Sequence, residues 1–314
     1  MRVISVSQEG EFSLIARIAA RLTEGPGVLL GAGDDAAVVA APDGRVVAST
    51  DLLVEGRHFR RDWSSAYDVG RRAAAANLAD IVAMGAQPTS LLVGLAVPGD
   101  LPIEWVESLA DGLRDEAALV GASIIGGDLS GSEAVTVAVT ALGDLRGRAP
   151  VTRSGAQPGD AIVLIGRPGR AAAGLALLTA GRRDHLLVAA HRRPDVRYAE
   201  ALALAERGAT AMIDVSDGLV ADLGHVAAAS GVRIELIGAA IPVDEDVAAV
   251  AEELGVDVFD WLAGGGDDHC FAASIAAEAT SELTVIGTVV VGEGSVVVVD
   301  REAPKLSGHE HFRS

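Results

Sequence analysis

The chain has 314 residues, half of them apolar, and a formal charge of −19; that length and hydrophobicity supply a large core and divide most naturally into two domains. So large an excess of acid argues against non-specific binding to nucleic acid or to anionic membranes, which depends on Lys and Arg. The one lysine, Lys305, lies near the C-terminus, which excludes a Walker-A phosphate loop and the early strand lysine of a protein kinase.

In chain order, 12–22 has helical apolar spacing. Runs 36–41 and 45–50 flank Pro42-Asp43-Gly44, which predicts a hairpin with Asp51 emerging at a strand end. Residues 64–84 predict a long Ala-rich helix stopped by Gly85, with Asn77 and Asp80 sharing a face. A strand over 91–97, a helix over 102–120 opened by Pro102, a short buried strand over 123–125 and an alternating strand over 134–142 complete the first half. The Gly-, Pro-, Arg- and Ser-rich stretch 147–159 is the best boundary, giving domains 1–148 and 149–314.

The second half predicts a strand over 161–165, a helix from Ala171, an Arg-rich helix from Asp195, a short strand at Met212, a helix over 218–230 and a strand over 232–236. It ends in a Val-rich hairpin, 284–299, turning at Gly292-Glu293-Gly294. Strands interleaved with helices in both halves predict α/β (α+β) architecture.

The lone Cys270 has no internal disulfide partner, which fits a reducing compartment. The first residues carry Glu9 and Glu11 and lack the basic start and apolar run of a signal peptide. No stretch reaches the roughly 18 uninterrupted apolar residues of a membrane span. A soluble cytoplasmic protein is expected.

The chemistry is carried by recurring acidic clusters: Gly33-Asp34-Asp35, Ser49-Thr50-Asp51, Asp80, Gly126-Gly127-Asp128, Asp214-Val215-Ser216-Asp217-Gly218 and Gly265-Gly266-Asp267-Asp268. Each has a bland reading. A Gly-Asp pair makes turns, Ser216 or Asp217 serves as a helix N-cap, and Ser49-Thr50-Asp51 caps a loop as readily as it offers three hard oxygens in succession. Asp80, in an Ala/Leu/Ile helix face, needs a cation or a paired donor if buried. Carboxylates that converge in a fold repel one another unless a cation sits among them, and Mg²⁺ bridges carboxylates to substrate phosphates. With lysine absent from such clusters, metal is the expected counter-charge for any nucleotide. Cys270 reads as a buried apolar residue rather than a nucleophile.

The assembled set resembles the thiamine-monophosphate kinase family. The residues that carry the resemblance are Gly10-Glu11-Phe12-Ser13-Leu14-Ile15, Gly33-Asp34-Asp35, Ser49-Thr50-Asp51, His58-Phe59, Asn77-Leu78-Ala79-Asp80 and Met84-Gly85-Ala86. They continue with Gly126-Gly127-Asp128, Thr152-Arg153-Ser154-Gly155, Pro158-Gly159-Asp160, Asp214-Val215-Ser216-Asp217-Gly218-Leu219 and His311-Phe312.

The resemblance implies the two-domain fold shared with aminoimidazole-ribonucleotide synthetase and selenophosphate synthetase. In that fold N-terminal sheets pair across a homodimer, and an aspartate- and Mg²⁺-rich active site lies between the domains. It implies transfer of a phosphoryl group from ATP to thiamine monophosphate, with several Mg²⁺ ions. By position it implies Asp35, Ser49, Thr50, Asp51, Asp80, Asp128, Asp214 and Asp217 as metal ligands. Gly127, Asp128, Arg153 and Ser216 become nucleotide contacts, and His58 and Asp267 substrate contacts. Asp267 stands where the family usually has a glutamate, and His309 stands where it usually has a ring-stacking aromatic residue. The alternatives are another Mg-ATP enzyme of the superfamily, such as a selenophosphate synthetase-like or amidine-forming synthetase, and a non-catalytic nucleotide- or metal-binding relative. The absence of a Cys- or Gly-rich N-terminal loop argues against the first, and retention of every aspartate cluster against the second.

Overall fold

The computed structural model describes residues 5–9, 11–31 and 37–305. The chain divides into two compact units, residues 1–81 with 86–148 and residues 82–85 with 149–314.

The first unit opens with helices α1 (Val6–Glu9) and α2 (Glu11–Ala19), followed by a two-stranded ribbon of β1 (Val28–Leu30) and β2 (Val38–Val39). Strand β3 (Val47–Val54), helix α3 (Ala66–Ala83), strand β4 (Gln87–Val97), helix α4 (Ile103–Ala118), strand β5 (Ser123–Gly131) and strand β6 (Thr136–Asp144) complete it. The sheet order is β3-β6-β4-β5, parallel only between β4 and β5. In β6, Val137, Val139 and Ala141 are buried while Thr136, Ala138, Thr140 and Leu142 between them are half-buried, the period of a sheet covered on one face. The Ala-rich stretch 73–76 of α3 is buried. Arg17 of α2 and Arg21 just beyond it form ion pairs with Glu107 of α4.

The sequence predicts a hairpin about Pro42-Asp43-Gly44, and here the fold differs. The turn forms, with Asp43 accepting from the Arg45 N–H at 2.9 Å, but β2 pairs with β1 and β3 pairs with β6. Asp51 therefore lies within β3, opposite Val139. Local turn chemistry fixes the reversal of the chain, whereas the choice of partner is made by distant strands that bury the apolar face.

The second unit contains β7 (Ala161–Ile165), α5 (Arg170–Thr179), α6 (Leu186–Arg192), α7 (Tyr198–Glu206), β8 (Ala211–Val215), α8 (Leu219–Ser230) and β9 (Arg233–Leu236). It ends with α9 (Glu245–Leu254), α10 (Val258–Gly264), β10 (Cys270–Ile275), β11 (Thr284–Val290) and β12 (Ser295–Val298). Its six-stranded sheet runs β12-β9-β11-β7-β10-β8. Every residue of β7, β8 and β10 is buried, so this part of the sheet is covered on both faces.

The predicted C-terminal hairpin is not one. β9 separates the two Val-rich strands, antiparallel to β11 and parallel to β12, and this lets Val296 and Val298 pack on the core. Strand β10, Cys-Phe-Ala-Ala-Ser-Ile, escapes the sequence pattern because small residues mask its β character. Its antiparallel pairing to both neighbours makes β7 and β8 parallel to each other. Their C-terminal ends and the N-terminal end of β10 thus share one edge of the sheet. Among the described residues no helix is long and apolar enough to cross a membrane.

Candidate active site

In the first unit, β3 and α3 bring one group together. Ser49 Oγ donates to Asp80 Oδ2 at 2.5 Å, and Asn77 Oδ1 accepts the Asp51 N–H at 2.9 Å while its amide donates to the Ala73 carbonyl at 2.9 Å. Asn77 and Asp80 thus do share a helix face, one turned to β3, and Asp80 has the paired donor that its setting demands. Asn77 is fully buried. The sequence shows it on a face with Asp80 and at the start of a motif that ends there, without a role; its work is to hold the edge strand that carries Asp51.

The three successive oxygens of Ser49-Thr50-Asp51 do not converge as the sequence suggests. Strand side chains alternate faces, and the Thr50 hydroxyl lies beside the Val139 carbonyl and Thr140 Oγ1, each at 3.0 Å. Its hydroxyl is turned away from the face shared by Ser49 and Asp51.

Gly126, Gly127 and Asp128 lie inside β5 rather than beyond its end, because β4 offers a parallel partner as far as Gly131. A Cβ on Gly127 would stand 1.9 Å from the Val93 carbonyl oxygen, so the strands approach here as only glycine permits. Asp128 is exposed on this edge strand.

His58 occupies the turn after β3, half-buried, and its Nδ1 accepts the Val54 N–H at 2.9 Å. An accepting Nδ1 leaves the ring proton on Nε2, which makes that nitrogen a donor.

In the second unit, two loops at the shared strand edge touch backbone to backbone. The Asp267 N–H donates to the Ser216 carbonyl at 2.9 Å. A Cβ on Gly266 would meet that carbonyl oxygen at 2.0 Å, and one on Gly218 would meet the Gly264 carbonyl oxygen at 2.9 Å. Asp267 and His269 both hold left-handed backbone, φ +66° and +47°, a conformation that costs non-glycine residues on the order of 1 kcal/mol or more.

Two buried carboxylates lock these loops. Asp222 Oδ2, from the first turn of α8, accepts the N–H groups of Ser216, Asp217 and Gly218 at 3.0, 3.1 and 3.0 Å. Asp268 accepts those of Gly169 and Ala171, at the start of α5, at 2.6 and 2.7 Å. Burial pushes the Asp222 carboxyl up to about 7, against the N–H bonds it receives and with the charges of Asp214 and Asp217 adding to the rise. Burial likewise raises Asp268 to about 7, opposed by its two N–H donors and assisted by Asp267.

Backbone N–H groups at a helix start ordinarily attract phosphate. Here the protein's own carboxylates take them, and the half-buried Ser216 and Asp217 stand at this edge next to the buried Asp214. Asp222 has a sequence signal, an acid in the first turn of a helix; Asp268 stands in the last acidic cluster, whose composition does not show that it turns to α5, and His269 has none.

Arg153 is exposed; its carbonyl accepts from Ser230 Oγ at 2.8 Å. The Cys270 thiol is buried, and burial, with Asp268 nearby, raises its pKa well above the usual range. Asp34, Asp35 and His309 lie outside the described residues. Among the described residues no three His, Cys, Asp or Glu side chains form a ready metal cage. Mg²⁺ fits a set of that kind, since it commonly takes one or two carboxylates and completes its shell with substrate oxygens and water.

Comparison with known proteins decides the family. Residues 33–145 match the AIR synthase related protein N-terminal domain and residues 157–300 its C-terminal domain. The thiamine-monophosphate kinase of Mycobacterium tuberculosis is 46% identical over 310 residues, spanning 98% of this chain and 93% of the relative. This chain belongs to the thiamine-monophosphate kinase family. The family's enzyme from Corynebacterium glutamicum is 39% identical over 96% of this chain and 93% of its own length. Among solved structures, the thiamine-monophosphate kinase of Stenotrophomonas maltophilia superposes with a TM-score of 0.82 at 34% identity, covering 96% of this chain and 99% of that one. AaThiL complexed with AMPPCP and TMP superposes with a TM-score of 0.80 at 30% identity, covering 99% of this chain and all of that one. The hydrogenase maturation protein HypE shares the fold, with a TM-score of 0.73 at 21% identity over 91% of this chain and 88% of that one.

Proposed function

We propose that this protein transfers the γ-phosphoryl group of ATP to the phosphate of thiamine monophosphate, forming thiamine diphosphate and ADP in one in-line displacement. An oxygen of the acceptor phosphate bonds to the γ-phosphorus as the bond to the β,γ-bridging oxygen breaks. The observation that carries the reading is the donor set of the motifs that carry the resemblance: aspartates on β3, α3, β5, the end of β8 and the loop after it, in a chain with one lysine.

Mg²⁺, when bound, neutralises phosphate charge and aligns the two anionic reactants. Asp35, Ser49, Asp51, Asp80, Asp128, Asp214 and Asp217 are its proposed ligands. Thr50, counted with them by resemblance, has its hydroxyl on the opposite face. Gly127, Asp128, Arg153 and Ser216 contact the nucleotide, with Arg153 supplying fixed positive charge. His58 donates from Nε2 to the acceptor, and Asp267 and, by resemblance, His309 are its other proposed contacts. No protein nucleophile takes part: the only thiol is buried and held protonated, and a phosphorylated aspartate would lose ligand charge when it is needed most.

The protein acts as a cytoplasmic homodimer in this reading. Residues 1–148 carry dimerisation and Mg-ATP binding, and residues 149–314 add the remaining ligands. Support for the dimer comes from the uncovered face of the first sheet, where Leu52 is 51% and Leu92 36% exposed beside Thr50, Thr140, Gly94 and Ala96.

The test is turnover of thiamine monophosphate with ATP chiral at the γ-phosphate. One displacement inverts the configuration. Retention, or ATP/ADP exchange without the acceptor, overturns the mechanism, and absence of thiamine diphosphate overturns the function.

A further inference from the structure

Behind the Asp214 carboxylate stands a residue that the motifs leave unassigned. His269 Nδ1 lies 3.2 Å from Asp214 Oδ2, and both side chains are buried, 6% and 7% exposed. A carboxylate only accepts, so the ring donates from Nδ1. The contact joins the loop before β10 to the end of β8, a second tie beyond the Asp267 N–H to Ser216 bond. It also depends on the left-handed backbone at His269, φ +47°. Strand pairing explains why it forms: Cys270 lies opposite Val215 and Phe271 opposite Asp214, so the residue just before β10 stands beside the end of β8.

We propose that His269 is a positioning residue for metal binding: by holding one oxygen of Asp214 it leaves the other as the ligand atom and fixes its direction. This rests on Asp214 being a ligand. A ligating carboxylate is typically held by such an outer hydrogen bond, and loss of that bond weakens metal binding roughly 10–100-fold. A histidine present only to fill the core would affect stability and leave metal affinity alone.

The full-length protein tests this in four forms: wild type, Asp214→Asn, His269→Gly and His269→Asn. Glycine removes the donor without opposing the left-handed backbone. Asparagine tolerates that backbone and keeps an N–H donor on the same side-chain carbon position as Nδ1. Mn²⁺ is titrated in the presence of AMPPCP and followed by electron paramagnetic resonance, alongside thermal unfolding and the Mg²⁺ dependence of turnover.

His269→Gly and Asp214→Asn are each expected to weaken Mn²⁺ binding about tenfold or more, with KM for thiamine monophosphate within about twofold of wild type. His269→Asn is expected to recover most of the affinity. Wild-type Mn²⁺ affinity in His269→Gly, with Asp214→Asn weakened, overturns the role of His269 and leaves the proposed function standing. Equal loss in His269→Gly and His269→Asn overturns it too, since the donor would then be irrelevant. Unchanged binding in Asp214→Asn sinks the metal role of that carboxylate and this proposal together. If His269→Gly does not fold, His269→Gln replaces it; its amide reaches one bond further, and affinity equal to that of His269→Asn then overturns the assignment.

Discussion

Among the described residues of the first unit the proposed ligands ride on regular structure, Ser49 and Asp51 on β3, Asp80 on α3 and Asp128 on β5. In the second, Asp214 lies near the end of β8, while Asp217 sits in a loop clamped by the buried Asp222 and by a second loop lying against its backbone. A strand positions side chains through its period, and the ladder that fixes β3 is its pairing with β6. A loop has no ladder, so its shape must be imposed by side chains that accept its N–H groups. The first arrangement tolerates change between ligand positions. The second spreads its requirements over Gly218, Gly266 and Asp222, none of them a proposed ligand or substrate contact.

The largest effect expected is common to both regions. Asp51→Asn and Asp217→Asn should each lower turnover on the order of 10³-fold, about 4 kcal/mol in barrier, with the fold intact. Removing a carboxylate from a crowded acidic site can also raise the melting temperature of the metal-free protein. Rates and melting curves measured together check this, and full activity in either variant refutes the metal role.

Gly266→Ala should separate the two regions. Its Cβ would collide with the Ser216 carbonyl, which should cost roughly 2–3 kcal/mol of stability or displace the loop. Denaturant unfolding measures the first and KM for ATP the second. Wild-type values for both would mean that the loops do not meet as described.

The clamp is also expected to show in the pH dependence of stability. The Asp268 carboxyl moves from 3.8 to about 7 on folding, so the folded state holds its proton more tightly than the unfolded one. Its contribution is complete below pH 3.8 and lost as pH rises towards 7 and beyond. Wild type should therefore lose on the order of 3 kcal/mol more stability than Asp268→Asn between pH 4 and 7. Parallel melting-temperature profiles for the two proteins would remove Asp268 from that account.

The smallest effect sharpens the strand side of the comparison. Ser49→Ala removes the hydroxyl donor of Asp80, worth about 1 kcal/mol, and should raise the Mg²⁺ concentration for half-maximal rate about fivefold. Thr50→Val, on the opposite face, should leave it within about twofold. An equal rise in both variants would show that the alternation of β3 does not sort the ligands.

Much of this was legible in the chain. The acidic clusters, the single lysine and the order of the motifs pointed to the family. The long helices and β7 followed from period and stop signals, because those depend on neighbours a few residues away. Strand partners were less accessible. Both predicted hairpins, at 42–44 and 292–294, have their turns but not their pairings, since a turn is local whereas β6 and β9 win their places by burying apolar faces. Strand β10 was missed because Ala and Ser carry little β signal, although full burial in the sheet makes that signal unnecessary.

Within the site the division is the same. The sequence by itself determined which oxygens are available and that no lysine shares their clusters, because composition and motif spacing are properties of the chain. Only the tertiary structure decided that Thr50 turns away from Ser49 and Asp51, that Asp222 and Asp268 close the two helix starts, and that His269 stands behind Asp214. Each of these depends on which backbone groups meet across strands and loops far apart in the chain, and no local pattern encodes such meetings.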